Sequence, residues 1–397
     1  MKYNIAFLMH GARNVGGGEY SIYLLIKNLR RDIFEPIVFF SNENEIIKRL
    51  GEDGIRLINI TLNKKITSVY RDKIKINPVN LFIYFFYLTT GIFQVLTLLK
   101  KNKIDLLHPH DNLSKIIGGF AAKLCNIKVV THCRDDLKND FISKVFRLVY
   151  RFLTDRIIAV SEKTKKSLTV GKKSLLKKTT VIYNGVDLSV FNPYRLNDFS
   201  KDKLNLNNLN NKIVIGVIAV LEKYKGHIYL FHAIEQLKQN GVVNFICLVI
   251  GDGRGKSNLI KYIKNENLEE LILFLGHRKD IPELLKITDI LIIPSIEQEA
   301  FPRVAIEAMA MEVPVVCTNF GGLPEAVVDG ETGIVVPCED ADNLYKAIKY
   351  LIESPEVRKK MGECGRKRVK GKFNVNNNVR MTERLYLDVL KDYKKAI

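Results

Sequence analysis

A chain of 397 residues that is 47% hydrophobic and 26% charged is too long for one ordinary core and too apolar to stay unfolded, so two folded domains are expected. Its net charge of +19 is lopsided, because residues 1–200 hold 33 Lys/Arg against 17 Asp/Glu and the remainder 29 against 26. A basic first half suits a nucleic acid, an anionic membrane or a phosphate-bearing substrate, or else reflects a Lys/Asn/Ile-rich background. The six cysteines are scattered without Cys-x-x-Cys spacing, which speaks against a disulfide framework and a thiolate metal site.

The apolar run Ile5–Met9 is too short for a signal-peptide core and reads as the end of a first strand, Tyr3–Met9. Further strands are expected at Pro36–Phe40, Leu57–Ile60, Leu106–His108, Lys128–Thr131 and Arg156–Val160. Helices are expected at Glu19–Arg30, Ile46–Leu50, Ser114–Cys125 and Glu162–Leu168. The strand runs lack clean alternation, as in a parallel sheet covered on both faces. Val79–Leu99 has the length of a membrane span, but Asn80, Thr89, Thr90, Gly91, Gln94 and Thr97 interrupt it, so a buried or surface-lying helix is expected.

The stretch 193–211 is rich in Asn, Asp, Lys and Leu and reads as a linker. Beyond it the strand–helix alternation restarts. Strands are expected at Ile213–Val220, Val243–Ile250, Leu271–Leu275, Ile290–Pro294 and Val313–Thr318, and helices at His227–Asn240, Leu259–Glu266 and Pro302–Met311. Such alternation implies βαβ units. The expected division is therefore 1–192, the linker 193–211, 212–375, and a terminal helix, 376–397, that packs back on the first domain. Two doubly wound sheets in series would leave a cleft between them, a usual place for a ligand.

Gly16-Gly17-Gly18-Glu19 follows the first strand and opens a helix, where glycine backbone can approach a phosphate. The motif falls short of the full G-x-G-x-x-G pattern and could equally be a plain turn. Glu299 and Glu307 say more, one before a predicted helix and one inside it, with Phe301-Pro302 between them. Pro302 suits a first helical turn, and the amides of Arg303 and Val304 would be helix N-terminal donors for a diphosphate. A carboxylate accepts hydroxyl hydrogens well, so the pair could grip two sugar-like groups on either side. Spacing alone would also allow two solvated helix glutamates. His108 and His110 lack a third ligand at metal spacing and read as a loop after a strand, lining the interdomain cleft.

The run Pro294-Ser295, Glu299, Glu307-Ala308-Met309-Ala310, Pro314-Val315-Val316 and Gly321-Gly322-Leu323-Pro324-Glu325, followed by Gly330 and Gly333, resembles the donor domain of glycosyltransferase family 4. Gly16–Glu19, Val130-Thr131-His132, Val160-Ser161-Glu162, Asn184–Asp187, Lys225-Gly226, Gly251-Asp252-Gly253 and Leu275-Gly276-His277 match the same family in order. The likeness is strongest over 289–333 and weakest over 40–105.

That resemblance implies an α/β protein of the GT-B class, with two Rossmann-like, doubly wound domains facing a cleft. It implies a retaining, hexosyltransferase-type enzyme that moves a sugar from a nucleotide sugar, a UDP-sugar rather than a GDP-sugar, to a lipid-linked or polysaccharide acceptor in cell-surface glycan synthesis. Glu299 would bond hydroxyls of the transferred sugar, Glu307 the ribose, and Lys225 the diphosphate. Phe301, Pro302, Arg303 and Val304 would complete the donor site. Gly17 and Gly18 would approach the same phosphates or the acceptor, and His132 would face the reacting sugar. No cofactor and no metal are implied, and no Asp-x-Asp motif occurs. Many members carry Arg five residues before the Lys-Gly pair, where this chain has Val220; Lys223 or Arg303 is the expected substitute.

The charge split adds an anionic membrane surface as a partner. The expected location is the cytoplasm, peripheral on the inner face of the plasma membrane. A sugar-nucleotide epimerase, a phosphorylase or a catalytically silent GT-B protein would share the architecture. A nucleic-acid binder is the remaining alternative, but helix-turn-helix, RRM and zinc signatures are missing, so nucleic acid is not an expected partner.

Overall fold

In the computed structural model, described over residues 2–10, 16–63, 78–195 and 212–396, the chain divides into two units. One comprises Met1–Val160, Thr164–Tyr183 and Val375–Ile397, and the other Ser161–Lys163 and Asn184–Asn374. Most of the expected linker, 196–211, lies outside the described residues.

The first unit runs β1 (Tyr3–Met9), α1 (Gly17–Asn28), β2 (Phe34–Phe40), α2 (Glu45–Glu52), β3 (Arg56–Asn59), α3 (Pro78–Lys101) and β4 (Leu106–Pro109). It continues α4 (Asn112–Leu124), β5 (Lys128–Cys133), α5 (Phe141–Leu153), β6 (Arg156–Ala159), α6 (Glu162–Thr169, whose first two residues fall in the second unit), α7 (Lys173–Lys178) and β7 (Thr179–Val181). All strands are parallel, in the order β3-β2-β1-β4-β5-β6-β7. Ile5, Phe7 and Met9 meet α1 and α2 on one face, while Ala6 and Leu8 meet Val95, Leu99 and Ile117 on the other. Burial on both sides explains the unbroken apolar runs.

Strands of the second unit are β8 (Ile213–Ile218), β9 (Phe245–Ile250), β10 (Ile272–Gly276), β11 (Ile290–Ile293), β12 (Val315–Thr318) and β13 (Gly333–Val336), parallel and ordered β10-β9-β8-β11-β12-β13. Its helices are α8 (His227–Gln239), α9 (Lys256–Asn265), α10 (Ile281–Lys286), α11 (Arg303–Ala310), α12 (Leu323–Ala326), α13 (Ala341–Glu353) and α14 (Pro355–Arg368). This is the strand order of a Rossmann domain, which reverses between β8 and β11. Ligands of open α/β sheets bind outside the strand C-termini at such a reversal. In the first unit the reversal falls between β1 and β4.

The chain ends in α15 (Val375–Ala396), which belongs to the first unit. Its Val379, Tyr386, Val389 and Leu390 join the core around α1. The buried Glu383 carboxylate accepts from the Arg30 N–H and from Arg30 Nε, both at 2.8 Å.

Helix α3 spans the segment tested as a membrane span. Its Ile83–Lys101 portion, with mean hydropathy 1.4, is long and apolar enough to cross a membrane by length and composition. One edge packs on α4 through Val95 and Leu99, while Phe85, Phe86 and Phe93 are exposed. Helices α5, α7, α10 and α12 to α14, and strands β7 and β13, have no counterpart among the expected elements.

Candidate functional site

In the second unit the loops after β8 and β11 are fastened together. The amides of Ile296 and Glu297 both donate to the Tyr224 carbonyl, at 2.9 and 3.2 Å. Gly226, at φ 69°, lies so close to Pro294 that a Cβ would stand 1.9 Å from its carbonyl oxygen. That close approach requires glycine on both counts. It brings Lys225 Nζ to 2.6 Å from Glu299 Oε2. Ser295 Oγ donates to the same oxygen at 3.0 Å, and Thr318 Oγ1 holds the Ser295 carbonyl from the end of β12.

The Glu299 backbone is equally constrained. The Gly322 N–H donates to its carbonyl at 2.9 Å, and Gln298 before it takes φ 56°, a conformation unusual for a residue with a side chain. Ala219, Val220, Lys225, Ser295, Glu299 and Val304 border a cavity of about 270 Å³. The first turn of α11, whose amides lack intrahelical acceptors by geometry, begins beside it at Arg303 and Val304.

Pro302 is the N-cap of α11 and lies just outside the first turn where it was expected. Phe301 turns inward, its ring centroid 5.4 Å from that of Phe373. Glu307 Oε1 accepts from Arg303 at 2.7 Å, and the other end of that buried guanidinium reaches the Gly185 carbonyl at 3.1 Å. Arg303 is thus engaged within the protein, contrary to the expectation that it substitutes for an arginine at Val220. Val220 itself is exposed on the cavity rim.

The predicted residues of the first unit gather at the C-terminal ends of β1, β4 and β5. Gly16 caps α1, and its N–H donates to Glu19 Oε2 at 3.1 Å. A Cβ on Gly18 would meet Arg134 Cδ at 3.7 Å and His110 Cε1 at 3.9 Å. His132 is buried near the end of β5, with Nδ1 2.8 Å from His108 Nε2. His108 lies inside β4, as the expected strand Leu106–His108 has it and contrary to its reading as a loop residue, stacked on Phe7 and bonded through Nδ1 to the Tyr386 hydroxyl. Burial holds the His108 imidazole down to about 3, with the Arg134 and Lys115 charges adding to the effect. His110 and His132 are likewise pushed well below the ordinary histidine range, by burial first.

Lys115, also buried, was not among the predicted site residues. It donates to the Tyr150 hydroxyl at 3.0 Å and to Asn112 Oδ1 at 3.2 Å. Burial lowers its pKa, with the Arg134 charge adding to the shift and Asp135 and Asp111 opposing it. Ser295, Thr318 and Tyr386 have no predicted role, because each acts through a neighbour that only the fold supplies. Among the described residues no group of three or more His, Cys, Asp or Glu is arranged to hold a metal ion.

Two Rossmann-like sheets, the second with the Lys225–Glu299 pair beside its strand-order reversal, have the GT-B architecture. A crystal structure of a glycosyltransferase from Rickettsia africae agrees, with a TM-score of 0.82 at 26% identity over 98% of this chain and 99% of that one. The family model described as Glycosyltransferase Family 4 matches residues 15–190, and that described as Glycosyl transferases group 1 matches 198–368. The two models match successive halves of the chain and agree with a GT-B glycosyltransferase that resembles glycosyltransferase family 4.

It is 28% identical over 310 residues to the UDP-Gal:alpha-D-GlcNAc-diphosphoundecaprenol alpha-1,3-galactosyltransferase of Escherichia coli, covering 76% of this chain and 79% of that protein. It is 29% identical over 378 residues to the N-acetyl-alpha-D-glucosaminyl L-malate synthase of Bacillus anthracis, covering 89% and 94%.

Proposed function

We propose that this glycosyltransferase is a retaining enzyme that takes a hexose from a UDP-sugar and passes it to a lipid-linked or polysaccharide acceptor at an anionic membrane surface, in cell-surface glycan synthesis. The observation that carries the donor half is the Lys225–Glu299 pair at the strand-order reversal, beside the first turn of α11. In this reading the second unit holds the donor and the first the acceptor. Glu299 takes hydroxyls of the transferred sugar, Glu307 the ribose hydroxyls, and Lys225 with the α11 amides the diphosphate. The Lys225 ammonium then lies between carboxylate and diphosphate and stabilises the charge that grows on the leaving group. His132 is assigned to the transferred sugar.

Retention follows from attack on the face that the leaving group vacates. The bond from the anomeric carbon to the phosphate oxygen breaks, the acceptor oxygen bonds to that carbon, and the acceptor hydroxyl proton passes to the departing phosphate. No carboxylate nucleophile is required. The name of the Escherichia coli relative carries both a UDP-sugar and a diphosphoundecaprenol acceptor, which supports donor and acceptor class together.

A membrane location is supported by α5. Phe141, Val145, Leu148 and Phe152 recur along one exposed face, with Lys144 and Arg151 among them. Phe120, Lys123 and Leu124 extend the exposed set on the neighbouring α4. At the C-terminal ends of these two helices Lys123, Lys128, Arg151 and Lys178 border a cavity of about 310 Å³. Apolar residues flanked by cations suit an anionic bilayer surface.

The deciding experiment is a donor screen by nucleotide release across UDP-, GDP- and ADP-sugars, with liposomes carrying extracted glycolipid acceptor. Release from a UDP-sugar that depends on acceptor is the expected result. Consumption of the nucleotide sugar without acceptor would turn the reading towards an epimerase.

A further inference from the structure

We propose that Tyr386 and His108 are positioning residues that fix His132 as its Nε2–H tautomer, making the outward nitrogen of that ring a hydrogen-bond donor. The proposal rests on the reading of His132 as a substrate-facing residue only for its effect on catalysis. The tautomer itself follows from the first unit alone.

The three side chains form one buried line. Tyr386 Oη is 2.5 Å from His108 Nδ1, and His108 Nε2 is 2.8 Å from His132 Nδ1. Phe7 stacks on His108 at 5.4 Å between ring centroids, and Tyr386 meets the same ring edge-on at 5.8 Å, so the His108 ring is packed from both sides. Both imidazoles are neutral in this surrounding, so each carries a single N–H. Burial, with the nearby Glu383 carboxylate, pushes the Tyr386 phenol well above its ordinary value, so it keeps its proton.

Each contact needs one proton, and the two must run in the same direction. If the phenol donates to His108 Nδ1, then His108 carries its hydrogen on Nε2 and donates to His132 Nδ1. His132 must then carry its own hydrogen on Nε2. In the reverse direction His132 Nδ1–H donates to His108, His108 donates to the phenol oxygen, and the phenol hydrogen needs a further acceptor. Tyr386 Oη has no other hydrogen-bond partner among the described residues. A hydroxyl proton stranded in a core is the costlier arrangement, which selects the first direction.

Of the two His132 nitrogens, only Nε2 is without a partner among the described residues. As Nε2–H it offers a hydrogen to a ligand oxygen, such as a sugar hydroxyl or phosphate, and it cannot act as a general base. Neither Tyr386 nor His108 touches the reacting atoms in this account. They act through His132, as groups that orient a working ring from behind do.

The test is long-range 1H–15N correlation on the full chain labelled with 15N-histidine at pH 7.5, with the His132 signals identified by their loss in His132→Gln. Wild type should show His132 with Nε2 protonated and Nδ1 bare. Tyr386→Phe should convert this to a mixture of tautomers and lower kcat by about tenfold, the scale seen when a group orienting a functional ring is lost. Calorimetric UDP binding by that variant should be unchanged. His108→Gln, whose amide N–H can still donate to His132 Nδ1, should keep the Nε2–H form. A wild-type spectrum with the hydrogen on His132 Nδ1 overturns the proposal whether or not the variants fold. So does a His132 signal that Tyr386→Phe leaves unmoved. Loss of UDP binding in wild type would count against the donor reading instead and leave the tautomer assignment standing.

Discussion

A methyl group at Gly321 would stand 1.8 Å from the Glu299 carbonyl oxygen, and the position also takes φ 57°. Gly321→Ala must therefore displace the loop that carries Glu299. We predict a stability loss of about 1–3 kcal/mol, the usual cost of a strained backbone position. Donor affinity should fall at least about tenfold, since a misplaced group loses most of its binding advantage. Urea unfolding and UDP-sugar titration measure the two separately, and unchanged affinity would mean that Glu299 has little part in donor binding. Glu299 and Glu307 can be proposed from residue type and spacing, and Lys225 and His132 from the family resemblance, because the motifs that carry them are local in the chain. Ser295, Thr318 and Tyr386 cannot, because they matter only through neighbours that fold from distant segments. Phe301 and Arg303 are expected in the donor site, and their side chains pack inward because the Phe373 ring and the Gly185 carbonyl that hold them are remote in the chain.

Among the elements, α15 owes its place to Glu383 as well as to its apolar side. Glu383→Ala leaves the Arg30 N–H and guanidinium without their acceptor, and we expect a loss of about 1–3 kcal/mol. Chemical denaturation followed by far-UV dichroism would register it, whereas substitution of the exposed Met381 should not. Helix α5 calls for the opposite expectation. Leu148→Ser with Phe152→Ser removes exposed apolar surface, so stability should hold while binding to phosphatidylglycerol vesicles falls severalfold. Sedimentation with vesicles reads this directly, and binding indifferent both to the substitutions and to salt would remove α5 from the account. Long buried strands such as β1 were legible from their apolar runs. Helix α5 was legible too, since Phe141, Val145, Leu148 and Phe152 recur at helical spacing, although no element was expected there. The four-residue β13 is too short for any period to show.

For the whole molecule, four buried histidines set the response to acid. His108 and His227 are pushed down to about 3 and about 4, and His110 and His132 well below the ordinary value, with burial the leading cause each time. In the unfolded chain these groups take up protons near pH 6.5, while in the folded chain they stay neutral to much lower pH. Stability is therefore full above about pH 6.5 and falls steadily as pH drops below it, with a proton uptake on unfolding that approaches four. Thermal unfolding from pH 7.5 to 5 should show a falling midpoint, and a midpoint independent of pH would contradict the buried neutral assignment. The two-sheet plan itself was visible early, because the alternation restarts at Ile213 and the apolar runs keep one style throughout. The strand order that places the loops of Lys225 and Glu299 side by side was not, since register and neighbours arise only on folding.

The central claim, a nucleotide-sugar site built on Glu299, Glu307 and Lys225, is tested most directly by calorimetric titration of UDP into wild type and Glu307→Ala in the presence of EDTA. The account predicts one site per chain in wild type, retained without divalent metal, and weakened at least about a hundredfold in the variant, as for a lost charged hydrogen-bonding partner. A wild-type chain that binds no nucleoside diphosphate, or a Glu307→Ala chain that binds UDP as tightly as wild type, would contradict it.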